Sequence, residues 1–179
     1  LILSQAAWAG DFEDGVAAYN RKDYKTAFAK FQSAAQQGNT SAQYNLGLMY
    51  ENAIGVSQDH KEAVRWYTLA AQQGNADAQN NLGLMYSNGQ GVAQDYREAV
   101  RWYTLAAQQG NANAQHNLGF MYYNGRGVLQ DHMRAHMWFN IAAVGGEKDS
   151  VKNRDVVASK MTPQQIEQAQ RMARECMSS

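Results

Sequence analysis

At 179 residues the chain has room for one medium domain or one short repeat array. Its 16 Lys and Arg balance 16 Asp and Glu, so no charge excess attracts nucleic acid or an anionic membrane. The single cysteine, Cys176, excludes an internal disulfide and a cysteine metal cluster, and no window approaches the 18 apolar residues of a transmembrane segment.

The opening LILSQAAWAG reads as the end of an apolar leader core followed by a small-residue cleavage site, Ala7-Trp8-Ala9 before Gly10. On this reading residues 1–9 are a signal-peptide remnant outside any fold. The mature protein then begins near Gly10 and is exported, to the periplasm or beyond the cell.

Residues 10–39 hold a short two-helix phrase, and three longer units follow at 40–75, 76–111 and 112–147. Their period is fixed by NLGLMY at 45–50 and 81–86 and NLGFMY at 117–122, and by Trp66, Trp102 and Trp138, which stand 36 residues apart. A fixed period of this length signals a repeat architecture. In the first unit, Ala42, Leu46, Met49 and Tyr50 share one face of a helix predicted over 41–52. Ala63, Val64, Tyr67, Ala70 and Ala71 stripe a second helix, with Lys61, Glu62 and Arg65 toward water.

Asp23, Asp59, Asp95 and Asp131 recur where the second helix of each unit begins. An Asp there accepts the unpaired amide hydrogens of the first turn and suits the positive helix end, so these read as caps rather than catalytic carboxylates. Gly38, Gly74, Gly110 and Gly146 follow the second helices as left-handed stops. The loop pieces AIGV, GQGV and GRGV, at 53–56, 89–92 and 125–128, follow a helix rather than a strand and lack the remaining phosphate-loop residues, so they read as tight turns. Gly47, Gly83 and Gly119 lie inside the first helices, where Gly costs about 1 kcal/mol against Ala. A close approach of the partner helix, with Ala63, Ala99 and Ala135 opposite, is the expected compensation, while Trp66, Tyr67 and their equivalents fill the space between hairpins.

His132 and His136 stand four residues apart, a spacing that suits a shared metal ion. His136 replaces Val64 and Val100 of the earlier units on an apolar face, and no third ligand is near in sequence, so neither a metal nor any other cofactor is predicted. The last segment, 148–179, is expected to close the array with a weakly patterned helix at 149–160 and a second from Pro163 to about Cys176. Thr162 and Gln165 fit a capping box, with Met161 and Ile166 as a staple and Ile166, Ala169, Ala173 and Cys176 turned to the last hairpin.

One hairpin has too little core to stand alone, whereas stacked copies bury a continuous seam. The pattern A-Q-x-N-L-G-x-M-Y, a G-x-G-V loop, D-x-x-x-A-x-x-W-Y-x-x-A-A and a closing Q-G-N resembles the Sel1-like repeat, a longer relative of the tetratricopeptide repeat. Residues 11–39 resemble the shorter tetratricopeptide hairpin, through Gly15, Tyr24, Ala27, Phe31 and Ala34. The resemblance implies an all-α, right-handed superhelical α/α solenoid presenting a concave surface to a protein or peptide, as a non-enzymatic adaptor in envelope or host-interaction processes. Cysteine-rich relatives suggest β-lactam binding or hydrolysis as the alternative, but their paired cysteines are absent.

Positions that vary beside an unvarying neighbour are where specificity resides. Tyr44, Asn80 and His116 form one such set, and Glu51, Ser87 and Tyr123 another. They flank Asn45, Asn81 and Asn117, whose amides either meet a bound backbone or bond to the neighbouring repeat. These nine residues are the candidate partner-binding face.

Overall fold

The computed structural model describes residues 2–178, with side chains described from Gly10 onward. The described residues form α-helices joined by turns, without strands. They divide after Gln94 into two compact units, a boundary inside the repeat 76–111 that the sequence treats as part of one continuous array. The first unit holds α1 (Ile2–Asn20), α2 (Tyr24–Gln36), α3 (Thr40–Glu51), α4 (His60–Gln72) and α5 (Ala76–Asn88). The second holds α6 (Tyr96–Gln108), α7 (Ala112–Asn124), α8 (His132–Val144), α9 (Asp149–Ala158) and α10 (Pro163–Ser178). Backbone from Ile2 is helical and continuous with the first hairpin, and the side chains of Ala7, Trp8 and Ala9 lie outside the described residues.

The periodic aspartates are caps. Asp59 Oδ1 accepts from the amides of Lys61 at 2.9 Å and Glu62 at 3.1 Å, and Asp95 accepts from Arg97 and Glu98 in the same way. Asp23 and Asp131 each cap the amide three residues on. The first helices have caps of their own, because Asn39, Asn75 and Asn111 accept from Ala42, Ala78 and Ala114 at 2.7–2.9 Å. The Asn of each Q-G-N therefore opens the next helix, immediately after the left-handed glycine that stops the last one.

The loop glycines serve close packing. Gly91 lies against the His60 carbonyl and Gly127 against the Tyr96 carbonyl, each with φ near +70°, so a side chain would be both strained and obstructed. That geometry is a tight turn seated on the start of the second helix of the preceding repeat.

The glycines within the first helices make room for aromatic rings rather than for alanines. A Cβ at Gly47 would overlap the Tyr67 ring, and one at Gly119 would come within 2.9 Å of the Phe139 ring. Gly15 stands in the same relation to Phe31. Ala63 and Ala135, expected at these contacts, are fully buried elsewhere in the packing. Trp66 joins Ala18, Ala27, Phe31, Leu46 and Met49 in one core, and so fills space between successive hairpins.

At the C-terminal end the capping box is formed: Gln165 N–H donates to Thr162 Oγ1 at 3.3 Å, and Thr162 N–H donates to Gln165 Oε1 at 2.9 Å. Met161 packs beside Ala135, Phe139 and Val157, while α10 buries Ala169 and Ala173. Cys176, expected to face the hairpin, is exposed near the helix end.

Candidate interaction surface

The predicted face is built differently in the two units. In the first, the Tyr67 hydroxyl donates to Glu51 Oε2 at 2.5 Å, linking the second helix of the repeat to the end of its first. The Asn81 side chain, from the next repeat, acts on the hydroxyls of both Tyr67 and Tyr44 and partly offsets the rise of their pKa values. Asn80 Nδ2 in turn donates to Asn81 Oδ1 at 3.3 Å. The two tyrosine rings pack with centroids 5.9 Å apart.

This network lies in a poorly hydrated site. Burial first, and then the hydrogen bond to the Glu51 carboxylate, pushes the Tyr67 phenol far above its ordinary pKa. Burial, with the Asp77 carboxylate nearby, raises Tyr44 as well. Tyr44, Glu51 and Asn81 remain half-buried and so reach the surface, as do Asn45 and Ser87. Asn80 is only 6% exposed, which removes it from the set that a partner touches; its amide serves the side chain beside it.

In the second unit the corresponding residues are tied down by α9 and the turn before it. His116 Nδ1 lies 2.7 Å from Ser150 Oγ and 3.0 Å from Glu147 Oε2. Ser150 donates both its amide and its hydroxyl hydrogen to Glu147 Oε2, each at 2.7 Å. A Ser, His and Glu together invite comparison with a hydrolytic triad, but the wiring is wrong. The serine proton goes to the carboxylate rather than the imidazole, both partners use one ring nitrogen, and Ser150 is fully buried. Glu147 stands where Asn111 and Asn75 stand one and two periods earlier, and it accepts from the Ser150 amide as they accept from those of Ala114 and Ala78. The capping contact therefore recurs at the start of α9, which packs against α8, as α10 does.

Tyr123 accepts a 2.6 Å hydrogen bond from Lys160 Nζ, and its ring packs beside His132. Asn117 is half-buried on the same helix. His136 is buried at 2% exposure, and burial, assisted by the Arg154 guanidinium, depresses its pKa. Among the described residues no group of three or more His, Cys, Asp or Glu is arranged to hold a metal.

Sequence reasoning assigned Tyr67 wholly to the core and missed its hydroxyl. A signal existed: Tyr67 and Tyr103 alternate with Phe139 at one buried position, and a hydroxyl tolerated there requires a polar partner, which the Glu51 position supplies.

Capped two-helix hairpins repeating within each unit define an all-α repeat protein of the solenoid class. The Sel1 repeat model matches residues 12–39, 40–75, 76–111 and 112–146, and the chain belongs to the Sel1 repeat family, whose members are generally protein-interaction modules. The match includes the opening hairpin, which by sequence resembles the shorter tetratricopeptide form. Among solved structures, the protective antigen c5321 present in uropathogenic Escherichia coli strains is 32% identical with a TM-score of 0.89, over 98% of this chain and 39% of that one. A Sel1 repeat protein from Oxalobacter formigenes is 33% identical with a TM-score of 0.76, over 81% of this chain and 60% of that one. Cysteine rich protein B of Helicobacter pylori shares the fold at 23% identity and a TM-score of 0.56, over 70% of this chain and 95% of that one. The chain thus spans less than two thirds of the first two proteins. No curated protein matches it.

Proposed function

We propose that the protein is a non-enzymatic interaction module that binds a protein or peptide partner on the concave face carrying its first helices. The observation that carries this reading is the network joining Tyr44, Glu51, Tyr67 and Asn81 across two successive repeats. It fixes half-buried polar side chains before any partner arrives, which lowers the ordering cost of binding. Asn45, Ser87, Asn117, His116 and Tyr123 extend the same face within their own units. The similarity to a protective antigen of a pathogen supports export, and a role in envelope or host-interaction processes. No helix among the described residues is long and apolar enough to cross a membrane.

The test is affinity capture from envelope and host-cell extracts, with the parent beside an Asn45→Ala, Glu51→Gln variant. Gln at 51 still accepts the Tyr67 hydroxyl, so the fold is retained while the charge is lost. A partner captured by the parent and lost from an equally stable variant supports the face; equal capture by both moves the site elsewhere.

A further inference from the structure

Helix α9 is apolar on two sides. One side is buried in its own unit, through Ser150 at 0% and Val157 at 1% exposure. The other carries Val151 at 42% and Val156 at 44% exposure, where a terminal element of a repeat array ordinarily turns polar side chains to water. These two valines line an open groove of about 640 Å³ with Lys148, Lys152, Asp155 and Ser159, so the whole groove belongs to α9 and its N-cap.

The charges on this face are incompletely paired. Lys148 and Lys152 are exposed, and neither takes part in an ion pair among the described residues. The Asp155 side chain is 64% exposed, and Arg154 occupies only its Oδ1, from Nε at 3.0 Å and from Nη2 at 2.8 Å. Asp155 Oδ2 is left to accept from another cation.

The face complements itself when reversed. A two-fold axis crossing α9 midway between Asn153 and Arg154 sets Lys152 of one copy level with Asp155 of the other, Val151 with Val156, and Lys148 with Ser159. Two Lys–Asp pairs then form at the centre, with the four valines flanking them. A parallel arrangement would set lysine against lysine and aspartate against aspartate, so charge selects the antiparallel one.

We propose that the outer face of α9 is a self-association surface, through which two copies of this chain pack antiparallel as an isologous dimer. One helix of 10 residues buries less than a standard interface, so the dimer is weak, with a dissociation constant on the order of 100 µM. The two-fold contact is closed and adds no third copy. It uses none of the first-helix face residues, so it stands or falls separately from the concave-face reading.

The experiment is sedimentation equilibrium of the full chain up to millimolar concentration, beside Lys152→Glu, Asp155→Lys and the double variant, each checked for parent-like helicity. The parent is expected to fit a monomer–dimer equilibrium. Each single reversal creates two like-charge contacts by symmetry and is expected to weaken the dimer at least about tenfold. The double variant, and an equimolar mixture of the two single variants, regain opposite charges at both contacts and are expected to associate as the parent does. A parent that stays monomeric at millimolar concentration, single reversals that leave the dimer unchanged, or a folded double variant that fails to regain it overturns the proposal. Asp155→Lys removes the partner of Arg154; should it not fold, the amide shifts of the labelled parent on dilution decide, with changes concentrated on α9 supporting the surface and changes elsewhere alone overturning it.

Discussion

Gly47 on α3 lies against the ring of Tyr67 on α4 so closely that a Cβ would overlap the ring carbons Cδ1 and Cε1. Replacing Gly47 by Ala gains about 1 kcal/mol of helix propensity. It also forces a buried ring to move in a packed core, at about 1–3 kcal/mol or more. The overlap wins, because Tyr67 is fully buried and anchored by its hydroxyl to Glu51. Gly47→Ala is expected to lower the urea midpoint, with a net loss of up to about 2 kcal/mol. Combining it with Tyr67→Leu is expected to cost less than the sum of the two single changes.

Tyr67→Phe tests the hydroxyl alone. Phe139 occupies the equivalent position in the second unit, so the ring itself fits. The change deprives Glu51 and Asn81 of a partner and is expected to cost about 1–2 kcal/mol in urea unfolding. It also frees the two side chains to reorient, which is expected to alter the Tyr44 environment in aromatic NMR spectra.

Ala53 is an alanine at φ +56°, in the place that Gly89 and Gly125 fill at φ +68° and +65°. Left-handed backbone costs a residue with a Cβ about 1–2 kcal/mol, partly offset by the extra unfolded-state entropy of glycine, about 0.5–1 kcal/mol. Ala53→Gly is therefore expected to stabilise the protein modestly and raise its thermal midpoint. A lowered midpoint would count against the left-handed turn.

His136 sets a pH dependence. Burial and Arg154 hold its folded pKa below the ordinary histidine value of about 6.5, so below that pH the unfolded chain takes up a proton that the folded chain resists. Its contribution is fully present above about pH 6.5 and is lost as pH falls toward the folded value, by at most about 1.4 kcal/mol per pH unit. Between pH 7.5 and 5.5 the parent is expected to lose stability more steeply than His136→Gln. Parallel slopes would show that His136 titrates freely in the folded state.

The repeating features were legible in the sequence because the same local chemistry recurs at a fixed spacing. The four cap aspartates and four stop glycines are found where their period places them. Asn39, Asn75 and Asn111 were read as the end of a unit rather than as the caps of the next, because a tight Gly-Asn junction satisfies both descriptions until the hydrogen bonds are seen. Glu147 hid the recurrence of the capping contact, since its longer side chain performs the Asn task under a different letter. On the candidate face, periodicity identified positions but not partners. Asn80 and Asn81 are adjacent in sequence, yet one is buried and the other half-buried, a distinction set by packing between repeats.

The most direct test of the central claim is to select a binding peptide from a displayed library and map it by chemical-shift perturbation on the labelled full chain. The interaction-module account predicts saturable binding, with the largest shifts at Asn45, Glu51 and Ser87, abolished by Asn45→Ala, Glu51→Gln at unchanged thermal midpoint. Binding that leaves those signals unmoved, or that survives the double substitution, would contradict it.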